Sequence, residues 1–348
     1  MRPEHEVRPA APGDRDPGSP GAEPRKDRYR QDLTQYEAAA RKRTLVSALI
    51  IFLLIPATML FGVAVLDQNL YMVISMLVVI YTLIPFFMVY ERRRPKAREI
   101  VLIAMMAALT TVIHVFFHVT IPVQAGTAMV IISGIALGPE AGFLVGALAR
   151  LVCNFYLGQG PWTPWQMVCW GLLGFLAGLA FNRVDPATLK KREKPLMEIS
   201  AGSFRSLLAP LICLLFAAAA AWVSYLIWPG KDATFFGWRL YVFGAIGLLA
   251  GVLLQRRRLP ADSLTMAVFT FFTTFIIYGG IMNICAMVNA SVMPGADPVS
   301  FAALRLLYVA GVPYDAVHAA TAAAFIFLFG SLFVQKLERV RIKYGIYR

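Results

Sequence analysis

Residues 97–120 read AREIVLIAMMAALTTVIHVFFHVT, and the residues just before them, 91–96, read ERRRPK. After Glu99 the stretch holds no acidic or basic side chain other than His114 and His118. A surface helix of a soluble protein pairs an apolar stripe with a polar face. This stretch is apolar all round and has the length, about 20 residues, that crosses a bilayer. The run at 99–119 therefore predicts a membrane-spanning helix, anchored at its start by basic residues. The same criterion applied outward predicts further spans at 44–66, 70–90, 127–138, 140–157, 165–181, 205–228, 236–254, 264–290 and 313–336. The run at 127–138 is short and reads as a partial or broken span.

Composition points the same way. Of 348 residues, 58% are hydrophobic and 15% charged, with a net charge of +13. A soluble domain is nearer 45–50% apolar and about 25% charged. A soluble enzyme, a disordered regulator and a disulfide scaffold are all excluded as classes. Cys153, Cys169, Cys213 and Cys285 are far apart with no C-x-x-C, and read as small buried hydrophobes. Residues 1–43, rich in Pro, Gly and charge, have too little to bury and are expected to be a disordered cytoplasmic tail.

The basic residues orient the chain. With the N-terminus inside, one side receives Arg41-Lys42-Arg43, the ERRRPKARE string at 91–99, the lysines and arginines of 183–205, Arg256-Arg257-Arg258 and the basic end 336–348. The other side receives Lys231, Arg239 and Arg305. Cytoplasmic loops carry the Lys/Arg excess. The expected fold is an all-α polytopic membrane protein of ten spans with both termini cytoplasmic. Basic residues beside membrane helices, rather than on one soluble face, argue against a nucleic-acid partner.

Small residues repeat every four positions at Ala104 and Ala108, at Gly138, Gly142 and Gly146, and along Gly171, Gly174 and Gly178. In lipid such repeats let helices approach closely. For the glycines, packing within one bundle is the simpler reading. For Ala104 and Ala108, internal packing and docking to a partner subunit stand equal.

The loop after 140–157 carries chemistry. GQGPWTPWQ (158–166) sets Gln159, Trp162, Trp165 and Gln166 on a chain stiffened by Pro161 and Pro164, with Asn154 just before it. An aromatic belt explains the tryptophans. The amides and double proline suit one wall of an organic-ligand pocket, which needs apolar walls with a few placed polar groups. Tyr278 and Asn283 in 264–290, and Tyr314, Asp315 and His318 opening the last span, lie at the same depth. Tyr314 and His318 share a helical face. His114 and His118 also stand four apart, but no third ligand suggests a metal. Arg150 lies inside a span, where a charge normally faces the bundle interior with a partner. A buried pair with Asp315 and a contact to a substrate phosphate are both open.

The stretches 97–181 and GVPYDAVHAATAAAFIFLFGSLFVQKLERVRIKYGI (311–346) resemble the substrate-binding membrane subunit, or S-component, of an energy-coupling factor (ECF) vitamin importer. The GQGPWTPWQ loop and the terminal K-L-E-R-x-x-x-K-Y-G are most similar to S-components assigned to cobalamin. The resemblance implies a six-helix bundle in a prokaryotic plasma membrane that takes a vitamin from outside. It further implies a transmembrane scaffold partner, two cytosolic ATPases, and toppling of the subunit to release the vitamin inward. It implies no catalytic residue, cofactor or metal. Ala104 and Ala108 fall on the family's docking helix, and the loops that close the vitamin site implicate Asn154, Gln159, Trp162, Trp165, Gln166, Asn283, Tyr314 and His318. The core then comprises 97–181 and 264–348. The hairpin 44–90 and the inserted hairpin 182–260 are additions. Residues 174–183, GFLAGLAFNR, echo 247–256, GLLAGVLLQR.

Other classes are less well served. The chain has no H-E-x-x-H, G-x-S-x-G or P-loop motif, so an intramembrane enzyme or a self-contained ATPase lacks its parts. A self-sufficient secondary transporter would favour several intramembrane acids, which are nearly absent. A membrane sensor of a small molecule is separated from a transporter by flux alone.

Overall fold

The computed structural model describes residues 97–121, 123–181, 215–227, 241–247, 259–291 and 301–343, with Arg239 and scattered positions between 46 and 84. The tail 1–43, most of the hairpin 44–90, much of 182–258 and the GLLAGVLLQR echo lie outside the described residues. The described chain is helical. Helices α1 (Ala97–Thr120), α2 (Ala125–Leu137), α3 (Pro139–Leu157) and α4 (Thr163–Ala180) follow one another with short connections. After them come α5 (Leu215–Ile227), α6 (263–291) and α7 (301–343). Both α6 and α7 carry a π-helical stretch, Thr274–Gly279 and Ile326–Gly330. Among the described residues the only extended pairing is one isolated bridge, Phe181 with Leu259.

Four helices, α1, α3, α6 and α7, are long and apolar enough to cross a membrane. The short run at 127–138 resolves into α2, whose 13 residues extend about 20 Å against about 30 Å of hydrocarbon. Every residue of α2 from Ala125 to Ala136 is buried. It is a short helix of the interior.

Glycine accounts for how tightly α2, α3 and α4 nest. A Cβ on Gly142 of α3 would stand 2.6 Å from the Gly174 carbonyl oxygen of α4 and 2.6 Å from Gly134 Cα of α2. One on Gly178 would meet the Pro139 nitrogen at 2.4 Å, and one on Gly146 the Trp170 carbonyl at 2.6 Å. These repeats pack within the bundle. Gly138 is different: at φ 101° it is the turn between α2 and α3, with nothing near its missing Cβ, a conformation glycine adopts without penalty.

Helix α7 departs from the sequence expectation. A start at 313 places Pro313 in a first turn, where proline is tolerated, but the helix begins at Phe301 and runs through Pro313. One missing N–H is bearable in a long membrane helix whose neighbours supply packing. At the far end, the Arg341 guanidinium donates to the Ala136 carbonyl and, at 3.1 Å, to Glu338. This ties α7 to the end of α2, where helix carbonyls otherwise lack partners. The chain leaves the core at Phe181 and re-enters at Leu259, whose N–H donates to the Ala180 carbonyl at 2.7 Å. The chain therefore leaves and re-enters the described core at one place.

Candidate functional site

The loop between α3 and α4 organises a polar group below it. The α4 first turn begins TPW, so Pro164 falls where a helix needs no N–H. The Thr163 hydroxyl donates to Gln159 Oε1 at 2.9 Å and accepts from Asn154 Nδ2 at 3.1 Å and from the Gly160 N–H at 3.2 Å. Gln159 Nε2 donates to the Leu151 carbonyl at 3.3 Å. Gln166 Oε1 accepts from both Asn154 Nδ2 at 2.8 Å and Arg150 Nε at 2.9 Å. Asn154, Gln159 and Gln166 therefore belong to one network, closed by Thr163, which the sequence reading did not single out.

Arg150 is the centre of that network. It is buried on α3, and its Nη1 donates to His114 Nε2 on α1 at 2.9 Å. Because arginine only donates, this His114 nitrogen accepts and the ring is neutral, with its proton on Nδ1. The guanidinium lies 5.1 Å from the Trp170 ring centre, and the His114 and Trp170 rings meet edge-on at 4.8 Å. Helix α2 lies against this pair: a Cβ on Gly126 would be 2.7 Å from both His114 and Trp170. The next residue, Thr127, shares a 2.9 Å hydrogen bond with His318 Nε2 on α7. The His318 ring in turn meets Tyr278 edge-on at 4.4 Å. Polar side chains from α1, α2, α3, α4, α6 and α7 thus converge in an apolar bundle.

Arg150 and Asp315, candidates for a buried pair, are held apart by other partners. Asp315 Oδ2 accepts from the Tyr241 hydroxyl at 2.5 Å and from Asn283 Nδ2 at 2.9 Å, while Arg150 is engaged by His114 and Gln166. The physical reason is Tyr241, a residue of the inserted segment that stacks on Phe275 and Tyr308 and donates to the carboxylate. Asn283 accordingly sits with Asp315 rather than with Arg150.

The aromatic candidates divide. Trp165 is buried, in an apolar cluster with Phe143, Leu151 and Cys285. Trp162 is 40% exposed and lies over Gly160, at the mouth of the loop. Tyr314 is 63% exposed, its ring meeting His318 edge-on at 6.4 Å, at the outer margin of the buried group. Trp170, Thr127 and Tyr241 were missed: Trp170 read as one more apolar residue in WQMVCWGLLG, and the other two meet their partners only through the fold. His114 and His118 lie with ring centres 5.6 Å apart. Among the described residues no three His, Cys, Asp or Glu side chains gather to hold a metal ion.

Ala104 and Ala108 stand on the opposite side of α1. They share an exposed face with Val101, Met105, Val112 and Phe116, while Leu102, Ile103, Met106 and Thr110 are buried. Both alanines are exposed, and among the described residues none covers them.

Residues 94–225 match the family model described as ECF-type riboflavin transporter, S component. Over 108 residues the chain is 29% identical to a UPF0397 protein of Aliivibrio fischeri strain MJ11, and equally to one of strain ATCC 700601 / ES114. The alignment covers 28% of this chain and 57% of each relative, so the chain spans little more than half the length of the curated relatives it matches. No solved structure matches the chain.

Proposed function

We propose that this chain is the substrate-binding subunit of an ECF-type importer in a prokaryotic plasma membrane. It captures a vitamin from outside and delivers it inward with a transmembrane scaffold subunit and two cytosolic ATPases. The observation that carries the reading is the enclosed polar group around Arg150, Asn154, Gln166, His114 and His318, set beneath the α3–α4 loop. Such a group inside an apolar bundle suits the binding of a small polar molecule. The exposed Ala104/Ala108 face supports docking to the scaffold through close helix approach. The match over 94–225 supports the same assignment. In this reading the chain crosses the membrane ten times with both termini inside, and the additions at 44–90 and 182–260 lie away from the docking face.

Two vitamins lead the substrate question. The family model names riboflavin, and the GQGPWTPWQ loop resembles cobalamin-type subunits. The test is thermal stability of the purified protein with riboflavin, cobalamin, cobinamide and other water-soluble vitamins. A ligand specific for the folded state stabilises by about 2.7 kcal/mol at a hundredfold excess over its Kd. A saturable shift with one compound supports the reading, and no shift with any contradicts it. The rival, a self-sufficient secondary transporter, would draw on the buried Asp315, whose oxygen is already engaged by Tyr241 and Asn283.

A further inference from the structure

The group around Arg150 holds buried polar atoms without partners, among them one acceptor, Asn154 Oδ1. Arginine donates only and stays charged. Its Nε and Nη1 are used, both on neutral side chains, and among the described residues it forms no ion pair and Nη2 has no hydrogen-bond partner. The Nδ1–H of His114 is buried without a partner, and so is the indole N–H of Trp170. These side chains touch one another: Arg150 bonds His114 at 2.9 Å, and Trp170 lies 5.1 Å beneath the guanidinium and 4.8 Å from the His114 ring. The carboxylates that share these helices do not compensate the charge. Asp315 is held by Tyr241 and Asn283. Glu140 precedes Arg150 on the same helix by about 15 Å of rise.

A buried cation with no counter-ion is complementary to an anionic oxygen group. On the transport reading given above, we infer that the substrate carries a carboxylate or phosphate, received by the unanswered side of the Arg150 guanidinium. A neutral vitamin would leave the charge unanswered. A lipid phosphate offers the same oxygens, and the experiment separates it.

The full chain, purified in detergent, is melted with matched compounds that differ by an anionic group. The pairs are riboflavin and riboflavin 5′-phosphate, nicotinamide and nicotinate, pantothenol and pantothenate, biotin amide and biotin, and cobinamide and cobalamin, whose nucleotide loop adds a phosphodiester. Phosphatidylglycerol is the lipid arm. The expected result is one anionic member binding about ten- to a hundredfold tighter than its neutral twin. Arg150→Gln should abolish that preference and Arg150→Lys should retain part of it. The wild-type comparison stands whether or not either variant folds. A neutral twin that binds as tightly overturns the inference and leaves the transport reading intact. Stabilisation by phosphatidylglycerol with no charge preference among the vitamins assigns the site to lipid and overturns the inference. No binding by any vitamin, charged or neutral, overturns both.

Discussion

Gln166 decides how Arg150 is held. Its side-chain oxygen takes two donors at once, from Arg150 Nε and Asn154 Nδ2, and removing it leaves the Nε–H and one Asn154 N–H unanswered in an apolar bundle. Each buried polar group left unpaired costs about 1–3 kcal/mol. Gln166→Ala is therefore expected to lower the melting temperature and weaken ligand binding together. Gln166→Glu should separate the two effects. A carboxylate there supplies the counter-ion Arg150 lacks, so the free protein is expected to melt higher while anionic ligands bind more weakly. Parallel melting and binding curves check this, and unchanged binding in both variants would place the ligand elsewhere. Much of this site was legible in the sequence. Arg150 announced itself as a charge inside a span, and the amides of the GQGPWTPWQ loop as more than a belt. Tyr241 was not legible. It meets Asp315 across 74 residues of sequence, and no local pattern marks a hydroxyl as the partner of a distant carboxylate.

Among the elements, α4 and α1 make opposite uses of small residues. Gly174 of α4 faces backbone: a Cβ there would lie 2.4 Å from the Gly142 carbonyl oxygen. Backbone cannot move aside as a flexible side chain does, so Gly174→Ala is expected to destabilise the bundle by about 1–3 kcal/mol, read as a lower melting temperature in detergent. Ala104 and Ala108 face outward on α1. Replacing both with leucine should leave vitamin affinity within about twofold, as surface changes do. It should also abolish co-purification with the scaffold and ATPases. Lost affinity with intact assembly would reverse the roles assigned to these positions. The four-residue spacing alone could not distinguish the two uses, because a small-residue stripe reads the same whether it meets its own bundle or a partner. Helix ends were less legible still. Pro313 looked like a beginning, and only packing against α6 and α2 carries α7 back to Phe301.

At the scale of the whole molecule, α1–α4, α6 and α7 form one interlocked body. Phe181 and Leu259 mark where the inserted segment leaves and returns. The body encloses a polar group and, among the described residues, leaves the Ala104/Ala108 face of α1 exposed, and the chain holds no P-loop of its own. The account assigns capture to this chain and energy to its partners. The most direct test is uptake, into proteoliposomes, of the radiolabelled vitamin that stabilises the protein. The account predicts ATP-dependent accumulation when the chain is reconstituted with a scaffold subunit and two ATPases, and none when it is reconstituted alone. Accumulation by the chain alone would contradict it, as would an assembled complex that binds the vitamin and hydrolyses ATP but transports nothing.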